Sequence, residues 1–124
     1  MKEQSRENSL PILPALSQNA SLKAKSLLGF AARARGLKVG AQISADYIRS
    51  GKKCIVFVSS TLSPSTLSKI NNTANYYGAP IFKLCIDSDE LGKTVGKSAE
   101  IGVVCVTNPT FSEPLMKLCE QSSQ

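Results

Sequence analysis

The chain is 124 residues long and 42% hydrophobic, which favours one domain with its own core and argues against a disordered chain. Fifteen Lys and Arg against nine Asp and Glu leave a formal charge of +6, an excess that points to an anionic partner, nucleic acid first. There is no His and no Trp, which excludes imidazole-based catalysis and His-containing zinc sites; four Phe and three Tyr are too few for a broad platform stacking single-stranded bases.

Residues 1–19 read as a flexible N-terminal tail, rich in Ser, Gln, Asn, Pro and Glu. Its apolar stretch Leu10 to Leu16 carries Pro11 and Pro14 and is no helix. The folded part is expected over residues 20–120, with 121–124 a short polar end. Residues 21–35 have a helical stripe at Leu27, Leu28, Ala31 and Ala34, with Ser21 as expected N-cap and Gly36 as stop. Leu37 to Val39 is short and extended. Gly40 opens a second helix that ends at Ser50-Gly51.

Cys54 to Val58 is an apolar, β-branched run of strand length, of the kind covered on both faces. Ser63-Pro64 starts a helix as cap and first-turn proline, and Gly78 ends it. Pro80 to Cys85 is the next strand. Asp87-Ser-Asp-Glu90 is an acidic first turn suited to a helix N-terminus, and Gly96 closes that helix. Ile101 to Val106 is a further apolar strand. After Asn108-Pro109, Phe111, Leu115 and Leu118 mark a last short helix. Helices and strands alternating in this order cover both faces of one sheet, an α/β chain folded as a single-domain α-β-α sandwich of about 100 residues.

The four cysteines, Cys54, Cys85, Cys105 and Cys119, form no C-x-x-C pair and read as small buried thiols in a reducing cytoplasm. No metal and no cofactor is expected. No export signal is evident, and no stretch approaches the ~18 apolar residues of a membrane span.

Gly92-Lys-Thr-Val-Gly-Lys-Ser98 resembles a phosphate-cradling loop, but only three residues separate its glycines, and it ends a helix instead of following a strand. Asp87, Asp89 and Glu90 are capping charges, not an acid–base pair. The informative feature is the basic segment. From Ala20 to Lys53, eight cations face Asp46 alone. Arg33, Arg35 and Lys38 crowd the approach to Gly40, where a helix begins, and a helix N-terminus is a ready phosphate site. Lys93 and Lys97 add to it if their loop lies nearby.

Leu27-Leu-Gly-Phe-Ala-Ala-Arg-Ala34 followed by Gly40 resembles the opening of the bacterial YlxQ-type ribosomal-protein-like proteins, members of the kink-turn RNA-binding ribosomal protein superfamily. Ser59-Ser60 with Ser65 to Lys69, Ala74 to Pro80, Glu90-Leu-Gly-Lys-Thr-Val-Gly-Lys97, and Val104 to Pro109 with Phe111 continue the match, which covers about residues 22–118. The resemblance implies a three-layer α-β-α fold with a four-stranded mixed sheet. With no His and no sound phosphate loop, the expectation is a non-catalytic, cytoplasmic, ribosome- or translation-associated RNA-binding protein, a monomer by default. The RNA the resemblance implies is a kink-turn, a bulge flanked by tandem sheared G·A pairs. In the family, a G-x-N-E-x-x-K helix start reads those bases, and the loop before the last strand meets the bulged nucleotide and nearby phosphates.

Carried over, Gly40 is the motif glycine and Ala41 the free position. Gln42 stands for Asn and still offers a donor and an acceptor. Ile43 stands for Glu and cannot hydrogen-bond. Asp46 stands for Lys, where a carboxylate is repelled by RNA. Gly96, Lys97 and Ser98 fall in the second contact loop. The two departures predict a loss of roughly 100-fold in kink-turn affinity. They also keep a second reading open: an interaction module of the translation machinery that retains the fold without kink-turn specificity.

Overall fold

Two short runs that are apolar at every position, Ile55–Val58 and Val103–Val106, lie antiparallel at the centre of the sheet, with Val56 opposite Cys105 and Val58 opposite Val103. Both are buried throughout because helices cover each face, which is why neither alternates with polar residues. The computed structural model describes residues 13–122. Its elements are α1 (Gln18–Arg33), β1 (Leu37–Val39), α2 (Ala41–Arg49), β2 (Ile55–Val58), α3 (Pro64–Tyr77), β3 (Ile81–Lys83), α4 (Ser88–Thr94), β4 (Val103–Val106) and α5 (Pro109–Ser122).

The sheet order is β1-β4-β2-β3. β1 and β2 flank β4 antiparallel, and β3 runs parallel to β2. The expected three-layer α/β sandwich with a four-stranded mixed sheet is the architecture found. Ile55, Phe57, Val104 and Val106 turn to one face, where they meet Ala24 and Leu28 of α1, Leu91 of α4 and Leu115 of α5. Val56, Val58 and Val103 turn to the other, against Ala45 and Ile48 of α2 and Leu67, Ile70 and Ala74 of α3. Each large side chain buried this way stabilises the fold by about 1.5–3 kcal/mol.

The folded body begins earlier than the sequence suggests. Pro14 and Leu16 exchange backbone hydrogen bonds with Lys83 of β3, both at 2.9 Å, and Leu16 is 2% exposed in the main core. Prolines forbid a helix here but not an edge pairing, because a proline carbonyl still accepts. The tail expected over 1–19 therefore loses residues 13–19 to the domain, and residues 1–12 lie outside the described residues. The cap of α1 is Ser17, whose side chain accepts from the Ala20 amide at 3.1 Å. Ser21, expected to cap, lies inside the helix at 1% exposure and accepts the Cys85 amide at 2.9 Å. At the other end α5 continues through Pro114 to Ser122, longer than expected and past the boundary at 120. Cys85 is exposed, and its thiol donates to the Leu16 carbonyl, so it is not the buried thiol expected.

Among the described residues, no helix is long and apolar enough to cross a membrane. No three His, Cys, Asp or Glu among them gather into a group fit for a metal ion.

Candidate functional site

Gly40 joins β1 to α2 at φ +110°, a conformation L side chains rarely adopt. Its amide donates to the Val103 carbonyl at 2.8 Å, which ties the start of α2 to the start of β4. No side chain caps the helix, and a Cβ at Gly40 would meet only open space. The helical ladder opens with the Ser44 amide on the Gly40 carbonyl at 3.0 Å. The amides of Ala41, Gln42 and Ile43 therefore have no acceptor within the helix, and they stand at its positive end. Gln42 is exposed, and Ile43 shows 54% of its surface.

The second contact loop returns to the sheet at the same place. Gly102, its last residue, accepts the Ser59 amide at 2.9 Å, one residue from the carbonyl that holds Gly40. Gly92 lets the loop fold back over α4. A Cβ there would stand 2.2 Å from the Ala99 carbonyl oxygen, and the Lys97 amide donates to the Gly92 carbonyl at 2.8 Å. Gly96 turns the chain at φ +79°, and Lys97 and Ser98 follow it exposed. A hydroxyl cluster sits at the base of the loop: Ser59 and Ser88 share a 2.7 Å hydrogen bond, and the Thr61 hydroxyl donates to Ser88 Oγ at 3.1 Å while accepting the Ser88 amide at 2.9 Å. The Ile101 amide then closes onto the Ser88 carbonyl at 3.0 Å. Sequence reading missed Ser59, Thr61 and Ser88, because no local pattern links residues so far apart in the chain.

The remaining site candidates divide. Arg33 folds back along α1, its guanidinium 4.8 Å from the Phe30 ring centre, and lines a groove of about 390 Å³ with Gly29 and Thr94, at the end of α4 that leads into the loop. Lys38 lies exposed on edge strand β1, opposite Cys105. Arg35 does not approach Gly40. Gly36 beside it accepts the Thr107 and Asn108 amides, past the far end of β4, and four extended residues carry Gly40 ~13 Å away. Lys93 is paired with Asp89 at 3.1 Å on the acidic side of α4, where Lys25 also pairs with Glu90.

Asp46 does not stand bare. Its carboxylate accepts from Gln42 Nε2 at 3.1 Å and from Arg49 Nη1 at 3.3 Å. Gln42 thereby spends a donor on Asp46 and keeps its carbonyl oxygen as an acceptor. Arg49 offsets the negative charge that the sequence alone sets against RNA.

A family model described as the ribosomal protein L7Ae/L30e/S12e/Gadd45 family matches residues 22–116. The chain is 33% identical over 94 residues to the RNA-binding protein YlxQ of Bacillus subtilis, an overlap of 76% of this chain and 92% of that protein. A Bacillus halodurans protein of unknown function is 32% identical with a TM-score of 0.71, over 79% of this chain and 97% of that one. The 15.5 kDa RNA-binding protein of Giardia lamblia shares the fold at a TM-score of 0.78 with 16% identity, over 88% of this chain and 92% of that one.

Proposed function

The chain belongs to the ribosomal protein L7Ae/L30e/S12e/Gadd45 family as a YlxQ-type member, and on that premise we propose that it is a non-catalytic RNA-binding protein of the translation machinery. It acts as a cytoplasmic monomer on structured, kink-turn-like RNA. One observation supports the reading: an uncovered helix start at Gly40 is tied to Val103, the first residue of β4, into which the glycine-turned Lys97-Ser98 loop leads.

The division of labour follows from the chemistry. The amides of Ala41 to Ile43 take a phosphate without needing a side chain. The Gln42 carbonyl accepts from a base amino group in the widened groove. Ile43 replaces a polar contact with an apolar one against an unstacked base or sugar. Lys97 and Arg33 neutralise phosphates on either side of the bulge, and Ser98 donates to one of them. The exposure of Ile43 also favours the second reading, a protein partner docking on α2.

Titration of the full-length protein with a kink-turn hairpin, and with the same hairpin carrying Watson–Crick pairs in place of the G·A pairs, separates these readings. Done at two salt concentrations, the expected result is tighter binding to the kink-turn at both. Equal binding that collapses with salt would overturn the structural readout and leave the protein partner.

A further inference from the structure

The chain's three tyrosines, Tyr47, Tyr76 and Tyr77, stand in the last turns of α2 and α3, the helices that lead to the end of the sheet opposite Gly40. β2 and β3 are parallel and start side by side, Val56 donating to the Pro80 carbonyl at 2.9 Å. The residues just before each strand therefore meet at one end. Before β2 stand Arg49, Lys52 and Lys53; before β3 stand Tyr76 and Tyr77 at the close of α3. Tyr47 stands near the end of α2, with Lys52 Nζ 5.8 Å from its ring centre. Tyr76 and Tyr77 pack edge to face, centres 4.9 Å apart, and Tyr76 is 83% exposed. Such a ring adds nothing to the core.

The charge at this end is one-sided. Before β2 the cations Arg49, Lys52 and Lys53 face Asp46 alone, and Arg49 holds Asp46. The six other acids among the described residues lie on α4, at its cap, in the loop after it or on α5, which cover the opposite face. Arg49, Lys52 and Lys53 are exposed.

We propose that this end is a second RNA surface, which binds single-stranded RNA by stacking bases on Tyr76 and Tyr77 while Arg49, Lys52 and Lys53 take the phosphates. Aromatic faces set among cations suit an unpaired strand, whose bases are free to stack, and do not suit a duplex, whose bases are not. An acidic peptide would use the cations and leave the tyrosine faces idle. The sequence alone counts too few aromatics for such a platform; the parallel strand starts concentrate the few there are. This surface goes beyond the Gly40 reading, and each end is tested without the other.

The test is binding of an unstructured dodecanucleotide of uridines to the full-length protein at low salt. With no tryptophan in the chain, tyrosine emission reports on this end directly. The expected result is measurable binding with quenched tyrosine emission, weakened about tenfold by Tyr76→Ala and restored by Tyr76→Phe. Lys52→Ala with Lys53→Ala weakens it and flattens the salt dependence. Gln42→Ala and Lys97→Ala leave it unchanged. No binding by the wild type overturns the proposal. So does equal affinity in Tyr76→Ala, or displacement by polyglutamate as efficient as by RNA, since either shows a surface for any polyanion, an acidic protein included. The exposure of Tyr76 keeps its variants folded, and a thermal melt verifies this.

Discussion

The two ends of the sheet are built in opposite ways. At the Gly40 end the proposed site is framed by backbone: free amides at the start of α2, and a loop that closes only because Gly92 has no Cβ. At the tyrosine end the proposed contacts are side chains, carried on helix ends closed by the left-handed glycines Gly51 and Gly78. A backbone site depends on shape and is lost by adding a single methyl. A side-chain site depends on composition and is lost one contact at a time. The two proposed surfaces thus divide the work, a rigid structured RNA at one end and a loose strand at the other.

The sharpest way to break the comparison is Gly92→Ala. The added methyl would sit 2.2 Å from the Ala99 carbonyl oxygen, and backbone must move to admit it. We expect a loss of about 3 kcal/mol in stability by chemical denaturation and no detectable binding of structured RNA, while unstructured RNA still binds below the melting temperature. Gly40→Ala is milder because nothing lies within 4 Å of the new methyl, and only the positive φ is strained. It should cost about 1–2 kcal/mol in a thermal melt and weaken structured RNA alone. Lys97→Ala and Arg33→Ala should leave stability unchanged, weaken structured RNA a few-fold each, and reduce the salt slope by about one phosphate each in titrations over a salt series.

The smallest effect sharpens the tyrosine end. A hydrogen bond from Cys105 holds the Cys54 thiol below the usual thiol range despite partial burial, whereas that contact and burial push Cys105 up. Burial, and secondarily Glu120, push Cys119 up to about 12. As pH rises Cys54 becomes thiolate first. Mass-spectrometric alkylation of the native protein should label Cys54 and the exposed Cys85, with the Cys54 rate rising at lower pH, and should spare Cys105 and Cys119. Cys54 stands next to Lys53, so bound single-stranded RNA should slow its alkylation and not that of Cys85.

Much of the fold was legible because its signals are local. The apolar runs of β2 and β4, the Ser63-Pro64 start of α3, and the Asp87 cap, which accepts the Glu90 amide at 2.8 Å, all announce themselves within a few residues. What was hidden depends on partners distant in the chain. Leu16 reaches the core where it and Pro14 pair with Lys83, and the buried Ser21 accepts the Cys85 amide. The same holds for the site. The family resemblance named Gly40 and the Lys97 loop, but a count of cations places Arg35 beside Gly40, and the three extended residues of β1 send it to the other end. Asp46 reads as a bare charge until α2 sets Gln42 and Arg49 around it. The Tyr76-Tyr77 pair and the basic stretch before β2 come to one end of the sheet only once β2 and β3 start in parallel.

The central claim, that structured RNA is gripped by backbone at the Gly40 end, is tested most directly by amide chemical shifts of isotope-labelled protein titrated with a kink-turn hairpin. The account predicts that the amides of Ala41, Gln42, Ile43, Gly96 and Lys97 move first and furthest, and that those of Lys52, Lys53, Tyr76 and Tyr77 stay in place. Stationary amides at Gly40 to Ile43 with full movement at the tyrosine end would contradict it.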